Sequence, residues 1–157
     1  MKMKNWILAA AAALPLFFSS CGKEDDPAGI PASSGYKGVL EVVYQEELYL
    51  TKDISVTIDY DAAAGTADIY MYAVRFVPQM PVVIDFLIPS VPASVSGTTV
   101  SFSGEDIVPQ MLGAGGALTP VPAYTVTGLQ GVFDEESASF SLRFGSYPTA
   151  YKGVAVD

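Results

Sequence analysis

Ile54-Ser55-Val56-Thr57-Ile58-Asp59-Tyr60 runs into Asp61-Ala62-Ala63-Ala64-Gly65 and then into Thr66-Ala67-Asp68-Ile69-Tyr70-Met71-Tyr72-Ala73-Val74. Apolar and polar residues alternate strictly in the first run, a period of two, which belongs to a half-buried strand and not to a helix. The linker ends in a glycine that can take positive φ, so the two runs read as a β-hairpin. One hairpin of this kind cannot bury its apolar face alone, and the chain must supply further strands.

It does so on both sides. Tyr36-Lys37-Gly38-Val39-Leu40-Glu41-Val42-Val43-Tyr44 collects Tyr36, Leu40, Val42 and Tyr44 on one face and Lys37 and Glu41 on the other. Further strands are expected at 82–88, 98–103, 124–133, 138–144 and 150–156, with Asp134-Glu135-Glu136-Ser137 as a second hairpin turn. No sustained helical stripe occurs after Cys21, although Asp106 to Leu112 could form one turn of helix. The stretch 104–122 holds Pro109, Gly113, Gly115, Gly116, Pro120 and Pro122 and reads as a long loop. About eight strands in the 122 residues from Tyr36 to Asp157 give roughly 15 residues per strand and connection. The expected fold is all-β, an antiparallel eight-stranded meander barrel, with a β-sandwich as the alternative. Closure favours the barrel, because it removes edges that few charges would otherwise protect.

The N-terminus carries a separate message. Lys2 and Lys4 precede an apolar run from Trp6 to Phe18, 13 residues interrupted only by Pro15. That length suits a signal-peptide core and is too short to span a bilayer as a helix. The run ends in Leu16-Phe17-Phe18-Ser19-Ser20-Cys21, which resembles the lipobox of bacterial lipoproteins; the alternative is a conventional signal peptide cut near Ser20. Gly22-Lys23-Glu24-Asp25-Asp26 resembles the acidic export signal of surface lipoproteins in the Bacteroidetes, the alternative being a solvated spacer. The chain then divides into a signal (1–20), a lipid-anchored acidic and flexible tether (21–35) and a folded domain (36–157). The expected location is the outer membrane, lipid-anchored and exposed at the cell surface, or alternatively on its periplasmic face.

Composition excludes several function classes. The 157 residues contain no histidine and one cysteine, Cys21, so Ser-His-Asp and Cys-His catalysis and the common zinc sites have no ligands or bases to use. Of 17 acids and 8 bases, Lys2 and Lys4 precede Cys21, leaving 17 against 6 and a net charge of −11 for residues 21–157. Nucleic acid needs a basic face and is not an expected partner.

Four features together resemble the calycin-like, or lipocalin-like, lipoproteins of Bacteroides and related Bacteroidetes. These are Tyr36-Lys37-Gly38-Val39-Leu40, the Gly65-to-Met71 strand start, the Arg75-Phe76 pair closing that strand, and Val82-Val83-Ile84-Asp85-Phe86. The resemblance covers most of Tyr36 to Asp157. It implies an eight-stranded barrel behind a lipobox, with no established activity.

The candidate site residues follow from parity. Cys21 is the expected lipid attachment point. Inward positions are Tyr36, Leu40, Val42, Tyr44, Ile54, Val56, Ile58, Tyr60, Ile69, Met71, Ile84, Phe86, Val100, Phe102, Phe140, Leu142 and Phe144. Tyr36, Tyr44 and Tyr60 lie at strand ends, where they either pack at the rim or line a mouth and offer a ring and a hydroxyl to a ligand. Arg75 shares parity with Ala67, Ile69, Met71 and Ala73, so an unbroken strand aims its guanidinium inward, where it needs an anionic partner. The alternative is a strand that ends or bulges before Phe76, leaving Arg75 solvated or paired with Asp85. Arg143 shares parity with Ser139 and Ser141 and faces solvent. The carboxylates Glu46-Glu47, Asp59/Asp61, Glu105-Asp106 and Asp134-Glu135-Glu136 sit at strand ends and turns, where acids are ordinarily solvated; Asp59, Asp61 and Asp68 flank one hairpin and lack the ligand spacing of a calcium loop. No cofactor or metal is expected. The expected function is a binding module for a small apolar or glycan-derived ligand; the alternative is a filled-barrel accessory subunit of an outer-membrane assembly, with an envelope protein partner and no ligand. Neither is an enzyme.

Overall fold

The computed structural model describes residues 33–76 and 79–156. The expected signal (1–20), the expected lipid attachment point Cys21 and most of the expected tether lie outside the described residues. Ten strands follow in order: β1 Ser33–Tyr44, β2 Glu47–Asp61, β3 Thr66–Val74, β4 Ile84–Ser96, β5 Thr99–Gly104, β6 Gln110–Leu112, β7 Leu118–Pro120, β8 Val126–Phe133, β9 Ser137–Phe144 and β10 Tyr147–Ala155. Eight of them, β1 to β5 and β8 to β10, pair antiparallel in sequence order, and β10 returns to β1, closing a meander barrel. The sandwich alternative is excluded by that closure.

The alternation read from the sequence sets the interior. Of the expected inward set, all are buried except Tyr44 and Ile84, which are partly so. The buried ones join Ala67, Val74, Phe76, Ile88, Val91, Val126, Leu129, Phe133, Ala138 and Tyr151 in one continuous cluster, against which Ile84 packs. Where β8 lies between β5 and β9 in the rung Phe102–Gly131–Phe140, Gly131 is required: a Cβ there would collide with Phe140 Cβ and Phe102 Cζ. The large rings on either side fill the space that its missing side chain leaves.

Several boundaries differ from the sequence reading, each for a local reason. β1 begins at Ser33, inside the expected tether, because Ser33, Ser34 and Gly35 pair with Asp59, Ile58 and Thr57. β2 begins at Glu47, before the expected Ile54. Asp53 takes positive φ (58°) in a bulge opposite Gly38/Leu40, so the two halves of β2 have opposite parity and the alternation was hidden. β4 runs on from Ile84 to Ser96 through Pro89 and Pro92, where it is again bulged. The stretch 104–122 is not a plain loop, and the turn of helix within it is a 3-10 turn at Ala114–Gly116 and not the one expected at 106–112. It carries the β6–β7 hairpin, which extends the wall beside β4 through Phe86↔Met111 and Leu87↔Gln110.

Three of the bulges share one device. Ser90, Ala73 and Gly128 have φ of 52°, 57° and 62° and sit at irregularities in β4, β3 and β8. Each donates its N–H to a carboxylate: Ser90 to Asp68 Oδ1 (2.7 Å), Ala73 to Asp85 Oδ1 (2.7 Å) and Gly128 to Glu105 Oε2 (2.7 Å). A bulge leaves one amide out of the ladder, and the acid supplies the missing acceptor. Asp61 and Asp134 act likewise in turns, accepting from Ala63 and Ala64 and from Glu136 and Ser137. Much of the acidity of the domain is therefore used by its backbone.

Candidate functional site

The barrel has two ends, and aromatic rings close both. At one end, the bulge at Ala73 shifts the parity of the last turn of β3. Val74 and Phe76 then enter the core, each at most 1% exposed, and Arg75 is displaced to an intermediate position. Phe76 lies flat on Tyr147, with centroids 4.8 Å apart and planes 4° apart. Tyr124, Phe144 and Phe86 surround it at 5.1, 5.4 and 5.9 Å, and Tyr44 stacks on the far side of the group against Tyr147 at 5.7 Å. Met80 Sδ accepts the Phe76 N–H at 3.1 Å. Offset and tilted rings at these separations attract one another beyond the area they bury.

Arg75 stands beside this plug. Its Nε is buried and has no hydrogen-bond partner among the described residues. Asp85, the partner considered for it, accepts the Ala73 N–H at Oδ1.

At the opposite end, Tyr36 and Tyr60 turn inward and pack edge-on against Phe133, at 6.4 and 6.2 Å. The Tyr36 hydroxyl donates to Asp134 O at 2.6 Å, tying β1 to the β8–β9 turn. Further inside, Tyr151 donates to Ile54 O at 3.0 Å, and burial pushes its phenol up to about 12. Burial likewise raises Tyr36 and Tyr147, in each case as the largest cause. The three tyrosines singled out by the sequence are thus separated: Tyr36 and Tyr60 at one end, Tyr44 at the other, in Arg75's company. Phe76 was missed as a site residue. Its signal was the conflict in parity itself, a charge at an inward position next to a large ring at an outward one.

Recesses open on the outer surface of the described residues. A shallow groove of about 850 Å³ crosses β4, β5, β8, β9 and β10, lined by Ser94, Ser101, Ser103, Ser139 and Ser141 with Gln130 and Lys152 among others, and no carboxylate. The rungs Ser94–Ser101, Ser101–Val132, Val132–Ser139 and Ser139–Lys152 form its floor. It offers hydroxyl and amide groups and the ammonium of Lys152 on a domain with a net negative charge. A smaller recess of about 390 Å³ holds Asp59, Asp61 and Asp68 with Thr66 and Ser90. Its carboxylates are engaged by Ser33 Oγ, by the turn amides and by the Ser90 amide, and among the described residues no three acids are grouped to hold a metal ion. Arg143 is exposed on β9. Among the described residues no helix is long and apolar enough to cross a membrane.

Compared with protein-family models, with curated proteins and with solved structures, the chain finds no match in any of the three.

Proposed function

We propose that this protein is a non-catalytic barrel of the calycin-like type, held at the outer face of the cell envelope by a lipid on Cys21, and that it works through its outer surface on an envelope protein partner. The observation that carries this reading is the filled interior. One cluster of side chains runs from Tyr36 and Phe133 at one end to Phe76 and Tyr147 at the other, and ligand-binding barrels need a lumen that side chains leave open. The absence of histidine and the single cysteine of the sequence support a scaffold over an enzyme.

One observation favours a second reading. The unpartnered Nε of Arg75, next in sequence to the plug, suits the anionic head of a small, otherwise apolar or glycan-derived ligand bound at the mouth. Native mass spectrometry after exposure to envelope lipids and glycans separates the two. The scaffold reading expects no adduct; a stoichiometric adduct that Arg75→Ala abolishes would replace it with the ligand reading. For the anchor, cells labelled with a fatty acid are expected to mark the wild type and not Cys21→Ala. Equal labelling would remove the lipid from the proposal.

A further inference from the structure

The barrel is closed, yet its longest hairpin keeps a free edge. β10 pairs with β1 only as far as Val42↔Thr149, and β3 pairs with β2 only from Val56 to Asp61. From Glu47 to Ser55, β2 therefore has β1 on one side and, among the described residues, no strand on the other. Natural edges are usually blunted by charge, proline or a bulge. Here the bulge at Asp53 and Lys52 guard one end, while Leu48-Tyr49-Leu50-Thr51 carries no charge and no proline.

Backbone and side chains of this edge are both presented for pairing. Gln45 and Glu46, with φ of 54° and 66°, form a two-residue turn, so Tyr44 and Glu47 face each other across the hairpin. Alternation along an antiparallel ladder then turns the amides and carbonyls of Tyr49 and Thr51 toward β1, and those of Leu48, Leu50 and Lys52 toward the open side. Leu48 and Leu50 are each 57% exposed on the outer face, and Val43, across from Leu48, is 36% exposed.

The sequence of this edge is complementary to itself. Two copies related by a twofold axis at Tyr49 place Leu48 opposite Leu50 of the other copy, twice, and bring Lys52 to the end of the ladder beside the turn residue Glu46, twice. Both leucine pairs fall where open-side backbone groups meet. The alternative axis at Leu50 sets Glu47 against Asp53 and Leu48 against Lys52, like charge against like charge and apolar against ammonium. We propose that the protein self-associates through antiparallel pairing of β2 with β2 of a second copy, in the register centred on Tyr49. The inference goes beyond the reading above, since it requires neither the lipid nor a different partner, and its test involves neither. A contact this short belongs to the weak class of interfaces, below about 1,200 Å².

The test uses the full chain with Cys21→Ala, in detergent, at roughly 10 µM to 1 mM, a range suited to weak association. Sedimentation equilibrium is expected to show a monomer–dimer equilibrium whose dissociation constant rises at least about tenfold in Leu50→Lys, because an ammonium would be buried against leucine. Glu46→Lys and Lys52→Glu should each weaken the dimer, and an equimolar mixture of the two should restore it as a heterodimer. Adding Tyr49→Cys should give a disulfide-linked dimer under oxidation, as residues facing each other at a non-hydrogen-bonded pair lie about 4.5 Å apart; Leu50→Cys alone should not. A monomer throughout the range, an unchanged dimer in Leu50→Lys, or cross-linking through Leu50 in place of Tyr49 would overturn the proposal, the first of these leaving the edge to a strand from another protein.

Discussion

Phe76→Ala tests whether the lumen is filled by a structural plug. The ring is 1% exposed and has four aromatic neighbours with centroids within 6 Å. Removing a buried phenylalanine ring costs about 3–5 kcal/mol, the spread reflecting how far the site can collapse. Phe76 lies outside the strands, on the β3–β4 connection, and this connection can settle inward more readily than a strand. The lower end, about 3 kcal/mol, is therefore expected. For a chain of this size that lowers Tm by roughly 6–12 °C. Urea unfolding followed by near-ultraviolet circular dichroism of the tyrosines would measure it. A loss below about 1 kcal/mol, the scale of an unburied surface change, would refute the plug. A second arm keeps the reasoning exposed: the space that partial collapse leaves is apolar and no larger than the lost ring, so benzene should restore part of the stability of Phe76→Ala by mass action and leave the wild type unchanged.

Three further outcomes follow from the same geometry. Gly131→Ala forces a methyl into Phe140 and Phe102, and should cost about 1–3 kcal/mol or more in denaturant unfolding; a neutral effect would mean the wall can flex there. Asp85→Ala removes the acceptor of the Ala73 bulge and should cost about 1 kcal/mol, with the near-ultraviolet signal of the Phe76 cluster shifting before global unfolding. Tyr151 is raised to about 12 in the folded chain from an ordinary 10. The unfolded phenol thus loses its proton first, and the contribution of Tyr151 to stability is complete below pH 10 and declines as pH rises toward 12. Tyr151→Phe should flatten that decline, and absorbance titration at alkaline pH should show one fewer late-ionising tyrosine; an unaltered alkaline profile would contradict the buried hydroxyl.

The strands and the interior were legible because each depends on a period of two within a few residues, as in Ile54 to Tyr60 and Ser137 to Phe144. Reading failed wherever a bulge reset that period. The residues Leu48 to Thr51 look unpatterned until Asp53 is known to take positive φ, since the half of β2 before it turns its odd positions inward and the half after it turns its even ones. Arg75 and Phe76 were exchanged for the same reason, by Ala73. The β6–β7 hairpin escaped notice because its prolines and glycines mark turns correctly, while the three-residue strands between them are set by pairing with β4.

From the sequence alone came the class of fold, the meander order, most of the interior and the exclusion of histidine-dependent chemistry, all consequences of local composition and alternation. The tertiary structure decided that aromatic rings close both ends, that Tyr36 and Tyr60 part company with Tyr44, that five acids serve backbone amides, and that β2 keeps an open edge. These depend on which strand stops before its neighbour and which residue bulges. Such events are fixed when a sheet closes on itself and must reconcile strands of unequal length, and no window of sequence contains both partners.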